Sequence, residues 1–202
     1  LEIDRDLAAE LRARFASTAN ISVHEGDALE TDFAALPGGQ RFRLVANLPY
    51  NISTPLLFHV LRWSDLIEDM HFMLQKEVVD RIAATPGGKT WGRLSVMVRY
   101  RCAVTPLFDV PPEAFRPAPR ITSSVVRLVP HDEPPVSIPD SAQFDRIVAT
   151  AFAQRRKTLR NSLRGLIDAA TIEAAGIDPG ARPETLGLEQ FAALARALGA
   201  TA

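Results

Sequence analysis

One cysteine, Cys102, in 202 residues excludes an internal disulfide and any cysteine-built metal cage. It lies in an apolar stretch and is predicted to be a buried structural thiol rather than a nucleophile. Histidine is also sparse: His24, His59, His71 and His131 are scattered without ligand spacing, so no metal site is predicted. The sequence has no apolar run of the roughly 18 residues that a membrane span requires, and no signal peptide. The chain is therefore expected to be soluble, cytoplasmic and without a membrane partner. An excess of charge is lacking too. Lys plus Arg number 23 against 24 Asp plus Glu, which argues neither for nor against a nucleic-acid partner.

What is present is unevenly placed. Residues 1–40 carry three basic side chains (Arg5, Arg12, Arg14) and eight acidic ones, whereas residues 141–170 carry six basic and two acidic. A chain polarised in this way can turn one basic face to phosphates while staying near neutral; a solvated helix surface would look the same. Apolar residues make up 47% of the chain, enough for one good core and a small appendage.

Strand-like and helix-like segments alternate through the first two thirds, the pattern of an α/β fold with a parallel sheet. Leu1–Asp4 reads as the tail of a strand. Leu7, Leu11 and Phe15 repeat every four residues, predicting a helix over 6–15 with that face on the sheet. Short strands are expected at 21–24, at 41–46 (buried) and at 70–74. Pro37-Gly38-Gly39 marks a turn. Ser53 is placed to cap a helix reaching Arg62, with Pro55 in its first turn. Helices are predicted over 76–83 and 92–101, and 103–110 with 123–129 form a closing pair of strands. Between that pair, Pro111 to Pro119 is a proline-stiffened loop outside the sheet. After 131–139 only helical patterns remain, at 141–153, 157–168, 171–176 and 188–199. These boundaries predict an α/β domain over 1–132, a linker over 133–140 and a small all-helical domain over 141–202.

The segment Asn47-Leu48-Pro49-Tyr50 stands where a hydrophobic strand runs out. An amide, a proline-fixed carbonyl and an aromatic ring lie side by side there, the groups that hold a planar exocyclic amine in front of a methyl donor. Asn and Pro also favour ordinary turns. Glu2 at a strand's carboxyl end can accept hydrogen bonds from ribose hydroxyls. Asp27, followed by Ala28, can accept from an adenine amino group, with Gly26 allowing close backbone approach. Phe115, flanked by prolines and Arg116, is expected to be a clamp rather than core. Arg155, Arg156, Lys157, Arg160 and Arg164 recur at helical spacing and read as phosphate contacts, with Arg93, Arg99, Arg101, Arg116 and Arg120 as further candidates. Some of these cations can equally pair with acids of the α/β domain.

Several segments together resemble the ribosomal RNA adenine N6-dimethyltransferases over essentially the whole chain. They are Glu2-Ile3-Asp4, Gly26-Asp27-Ala28, Asn47 to Thr54, Phe72 to Val78, Gly92 to Val96, Phe115 to Arg120, and Phe152 to Asn161. The last segment, with Arg182-Pro183-Glu184, is most similar to the bacterial small-subunit branch.

The resemblance implies a Rossmann-like S-adenosylmethionine-dependent sheet and dimethylation of two adjacent adenosines. The substrate would be ribosomal RNA in an immature small subunit, and the enzyme a monomer. It implies that Asn47 and the Leu48 carbonyl accept the two N6 hydrogens and that Pro49 stiffens the turn. Tyr50 and Phe115 would sandwich the base, Glu2, Asp27, Ala28 and Asn47 would hold the cofactor, and Arg116, Arg155, Arg156, Lys157 and Arg160 would contact RNA. Leu48 departs from the Pro-Pro-Tyr of DNA and protein-glutamine methyltransferases. The alternatives are a non-catalytic assembly checkpoint and a large-subunit resistance enzyme. Gly26, Gly38-Gly39 and Gly87-Gly88 form no G-x-G loop in a strand–turn–helix setting. The first strand and glycine-rich loop are therefore expected to lie in further N-terminal residues, and weak or absent cofactor binding is expected of these 202 residues.

Overall fold

In the computed structural model, residues 1–36, 40–154 and 156–200 are described. The predicted turn at Pro37-Gly38-Gly39 and the predicted RNA contact Arg155 lie outside them.

The central sheet has the order β1-β2-β4-β3. Strand β1 (Phe42–Asn47) runs parallel to β2 (Ile67–Gln75), which pairs antiparallel with β4 (Ser123–Pro130), which pairs antiparallel with β3 (Cys102–Val110). All but β4 therefore point their carboxyl ends the same way. Helix α1 (Arg5–Arg14) precedes the sheet, α2 (Ser53–Val60) follows β1, and α3 (Lys76–Ala83) and α4 (Arg93–Arg101) follow β2. Buried Met70, Phe72 and Leu74 of β2 share one core with Val126 and Leu128 of β4, Leu57 of α2 and Ile82 of α3.

Several local expectations need correcting. The strand at 41–46 is present, one residue later, but is not fully buried. Its residues alternate between half-buried and exposed, with Val45 75% exposed, because Phe42, Leu44 and Ala46 pack on the core from one face while the other face is open. Residues 21–24 form no strand. Backbone pairing there reduces to a single parallel bridge between Glu2 and Glu25, closed by Glu2 N–H on the His24 carbonyl and Gly26 N–H on the Glu2 carbonyl, both 2.9 Å. A lone bridge does not propagate a ladder. Helix α1 is well started, as the Asp4 carboxylate accepts from the Asp6 and Leu7 amides. Its predicted face does not rest on the sheet: Ala8 is buried while Leu7 is 43% exposed.

Ser53 does not cap α2. It is the first helical residue, buried, and its hydroxyl donates to the Tyr50 carbonyl at 3.1 Å. The helix ends at Val60, and a 3-10 turn, Leu61–Leu66, completes the segment.

A second core gathers Trp91, Val96 and Tyr100 with the C-terminal helices α5 (Ser141–Phe152), α6 (Leu159–Ser162), α7 (Ala169–Ala174) and α8 (Leu188–Ala200). The largest correction falls here: the helix predicted over 157–168 is only the four residues of α6. Leu159, Leu163 and Ile167 do keep one buried face, which is the periodicity the sequence carries. The helix ends at Ser162, with Leu163 at φ −91°, ψ 3°, and Gly165, at φ +92°, keeps the chain from resuming it.

Cys102 opens β3 and is 1% exposed; burial pushes its thiol up to about 12. Thiolate is the reactive form, so iodoacetamide at pH 8 should leave the folded protein unlabelled and alkylate it once urea unfolds the chain. Labelling at equal rates in both states would contradict that burial. The raised value also has a sign. Above pH 9 the unfolded thiol ionises while the folded one does not, so this group lowers stability as pH rises toward 12.

Candidate active site

The site forms where β1 ends. Asn47 is still in register with Met73 of β2, and the Leu48 amide donates to the Met73 carbonyl at 3.2 Å. That bond holds the motif to the sheet until its second residue. Leu48 buries its side chain, 4% exposed, in the sheet core. Proline at 49 then fixes φ as the chain leaves the ladder, and its carbonyl accepts from the Ile52 amide at 3.2 Å. Helix α2 starts at Ser53, so five residues, 48–52, make the whole connection.

The consequence is chemical. Asn47 is exposed. Among the described residues neither its carboxamide nor the Leu48 carbonyl has a hydrogen-bond partner. Two neutral acceptors at this turn are thus without a partner among the described residues. Tyr50 is half-buried and held at both ends, its carbonyl by Ser53 and its phenol oxygen by the Ser123 hydroxyl at 2.7 Å.

A cavity of about 530 Å³ runs along the free edge of β1, a volume typical of small-molecule sites. Asn47, Leu48 and Pro49 line it together with Glu2, Asp27 and Ala28, so residues predicted separately from three parts of the sequence share one wall. Apolar side chains, among them Phe33, Leu44 and Ile52, form much of the rest. One Glu2 carboxylate oxygen accepts from the Asp4 amide at 2.9 Å, and one Asp27 oxygen from the Leu29 amide at 2.8 Å. Each carboxylate is oriented through one oxygen, and the other has no hydrogen-bond partner among the described residues. The 27–31 turn is tied to α2 by His59, whose Nε2 lies 2.9 Å from the Thr31 carbonyl.

Other predicted residues fall elsewhere. Phe115 is half-buried on the loop between β3 and β4 and does not line the cavity; Arg116 beside it is exposed. Arg156, Lys157, Arg160 and Arg164 are exposed and without ion pairs among the described residues, but they do not share one helix face, since only Arg160 lies in α6. Arg160 and Arg164 line a separate open cavity of about 670 Å³ with Asn161 and Thr171. Three of the further candidates have structural employment. Arg93 pairs with Asp145 at 2.9 Å and lies over the Phe58 ring, Arg99 donates to the Ala83 carbonyl at 2.7 Å, and Arg101 lies over the Tyr100 ring. Sequence reasoning missed Ser123, which has no motif of its own and meets Tyr50 across 73 residues.

This fold is that of a Rossmann-like methyltransferase, and its crossover sheet presents, at a strand's carboxyl end, two hydrogen-bond acceptors beside a cavity lined by carboxylates. More narrowly, the chain belongs to the ribosomal RNA adenine dimethylase family, whose model matches residues 1–199. It is 54% identical over 199 residues to the ribosomal RNA small subunit methyltransferase A of Pseudomonas aeruginosa, covering 98% of this chain and 74% of the relative. It is 54% identical over 201 residues to the protein of that name from Methylococcus capsulatus, covering 98% and 77%. Among solved structures, a dimethyladenosine transferase from Plasmodium falciparum superposes with a TM-score of 0.78 at 25% identity, covering 95% of this chain and 78% of that one. The 23S rRNA methyltransferase ErmE superposes at 0.69 with 26% identity, covering 98% and 80%.

Proposed function

We propose that this chain transfers methyl groups from S-adenosylmethionine to the N6 amine of two adjacent adenosines in small-subunit ribosomal RNA, within an immature subunit and as a monomer. The observation that carries the reading is the pair of unengaged acceptors, the Asn47 carboxamide and the Leu48 carbonyl, on the wall of a cavity that also holds Glu2 and Asp27. The names of the 54%-identical relatives support the choice of small-subunit RNA.

The cavity suits the cofactor chemically. Two carboxylates, each with a spare oxygen, match hydroxyls and an amino group, and apolar walls match a purine face. Glu2 would bind the ribose hydroxyls; Asp27, with the Ala28 backbone beside it, would bind the adenine edge. When bound, S-adenosylmethionine supplies a methyl group on a positively charged sulfur. The protein's own task concerns the amine, whose lone pair is delocalised into the adenine ring. By accepting its two hydrogens, Asn47 and Leu48 draw the nitrogen toward tetrahedral geometry and free the lone pair. The same fixed dipoles stabilise the positive charge that develops on it. The groups need no reorganisation because β2 and α2 already hold the turn. No strong base is required, since the amine becomes more acidic once methylated.

Reaching N6 requires the base to leave its stack, and aromatic faces recover part of that cost. Tyr50 would take one face, and Phe115, on its stiff loop, would close the other. The domain division follows the chemistry: residues 1–132 carry methyl transfer, 133–140 link, and 141–202, together with Arg116, hold RNA through Arg155, Arg156, Lys157 and Arg160.

Incubating immature small subunits with the full-length protein and radiolabelled cofactor should yield N6,N6-dimethyladenosine; a folded protein that makes none overturns the reading. Replacing Arg156, Lys157 and Arg160 by alanine should flatten the dependence of log K on log salt, by about 0.7–0.9 for every phosphate no longer neutralised. An unchanged slope would remove these residues from the interface.

A further inference from the structure

We propose that Ser123 is a positioning residue of the methyl-transfer site, setting the Tyr50 ring in the orientation that receives the target base. The proposal rests on the stacking role given to Tyr50 above. Ser123 is the first residue of β4 and is fully buried, paired with Gln75 of β2 on one side and Val110 of β3 on the other. Strand pairing on both sides fixes its backbone, and full burial confines its hydroxyl.

That hydroxyl lies 2.7 Å from the phenol oxygen of Tyr50. At the other end of the residue, the Ser53 hydroxyl holds the Tyr50 carbonyl. The ring is therefore tethered at its base by the turn and at its tip by the sheet. A ring ordered before RNA arrives gives up little rotamer freedom on stacking, so the stacking energy goes into aligning the base for transfer.

The anchor also has a second connection. Ser123 directly follows the loop that carries Phe115, and the Lys76 amide donates to the carbonyl of the preceding residue, Thr122, at 3.0 Å. Both aromatic residues proposed to enclose the base are thus referred to one place, the start of β4.

A merely structural bond and a positioning bond predict different kinetics. Ser123→Ala and Tyr50→Phe remove opposite halves of the same hydrogen bond, and Tyr50→Phe keeps the aromatic face. Each should lower kcat about tenfold, with KM for the RNA nearly unchanged because phosphate contacts carry most of that affinity. The double variant should be no worse than either single one. Ser123→Thr, which keeps the hydroxyl, should restore kcat. RNA carrying 2-aminopurine at the target position should show weaker fluorescence quenching with both single variants. Additive losses, or a lowered Tm with kcat and quenching untouched, overturn the proposal. Tyr50→Ala separates the two levels. If it lowers kcat while Ser123→Ala and Tyr50→Phe do not, positioning fails and stacking stands; if it also leaves kcat unchanged, the stacking role fails with it.

Discussion

Replacing Asn47 by alanine should lower kcat for adenine N6 methylation by about 10²–10³ while leaving affinity for the small subunit within about twofold. The size follows from what the carboxamide does. It is one of two fixed acceptors facing an amine that is a poor nucleophile until its lone pair is localised. The interaction strengthens as positive charge builds on nitrogen, so its loss falls on the transition state rather than on ground-state binding. Folding should be little affected, because Asn47 is exposed and its side chain has no partner among the described residues. Steady-state kinetics with immature subunits, beside a filter-binding measurement, gives both numbers. A variant that loses affinity and rate together would make Asn47 a docking residue. A variant with unchanged kcat would remove the carboxamide from the mechanism. The first outcome described also separates catalysis from any checkpoint role, since a methylation-dead protein would still bind the subunit.

The second large effect concerns architecture. Trp91→Ala should cost about 3–5 kcal/mol of stability. Trp91 is 2% exposed, the largest fully buried side chain of the second core. Its indole N–H donates to the Leu186 carbonyl at 2.9 Å, joining residues 95 positions apart. Close by, the Gly87 amide donates to the Glu184 carbonyl at 2.7 Å. Truncation removes the packing of a large ring and leaves a buried carbonyl unpaired, so transfer, cavity and hydrogen-bond losses act together. Urea denaturation measures it. A loss below about 1 kcal/mol would mean that the C-terminal helices hold together without this anchor.

The parts of this structure that are legible in the sequence are those whose causes are local. Asn47 to Tyr50 declares itself because a hydrophobic strand, a turn-forming amide and a φ-fixing proline are consecutive. The α3 and α4 helices likewise follow from their own periodicity, and Glu2, Asp27 and Asn47, which the sequence proposes as cofactor ligands, line one cavity. What is hidden depends on neighbours. Leu7 carries helical periodicity, yet whether its face is covered is a question of what lies beneath it. Leu159, Leu163 and Ile167 share a buried face that periodicity alone reads as a helix, but the helix ends at Ser162 and Gly165 at positive φ keeps it from resuming. The basic residues around α6 consequently spread over a turn rather than along a helix. Arg93, Arg99 and Arg101 look like RNA contacts until their carboxylate, carbonyl and aromatic partners are known. The Ser123–Tyr50 bond has no sequence signature at all, because only the sheet register brings residue 123 to residue 50.

A structure of the protein with an adenosine-containing RNA and the demethylated cofactor would test the amine clamp at its reacting atom. The target N6 should lie within hydrogen-bond distance, ~2.9 Å, of both the Asn47 side-chain oxygen and the Leu48 carbonyl, with the base stacked on Tyr50. An adenine whose N6 meets neither acceptor, or whose ring lies away from Tyr50, would contradict the mechanism.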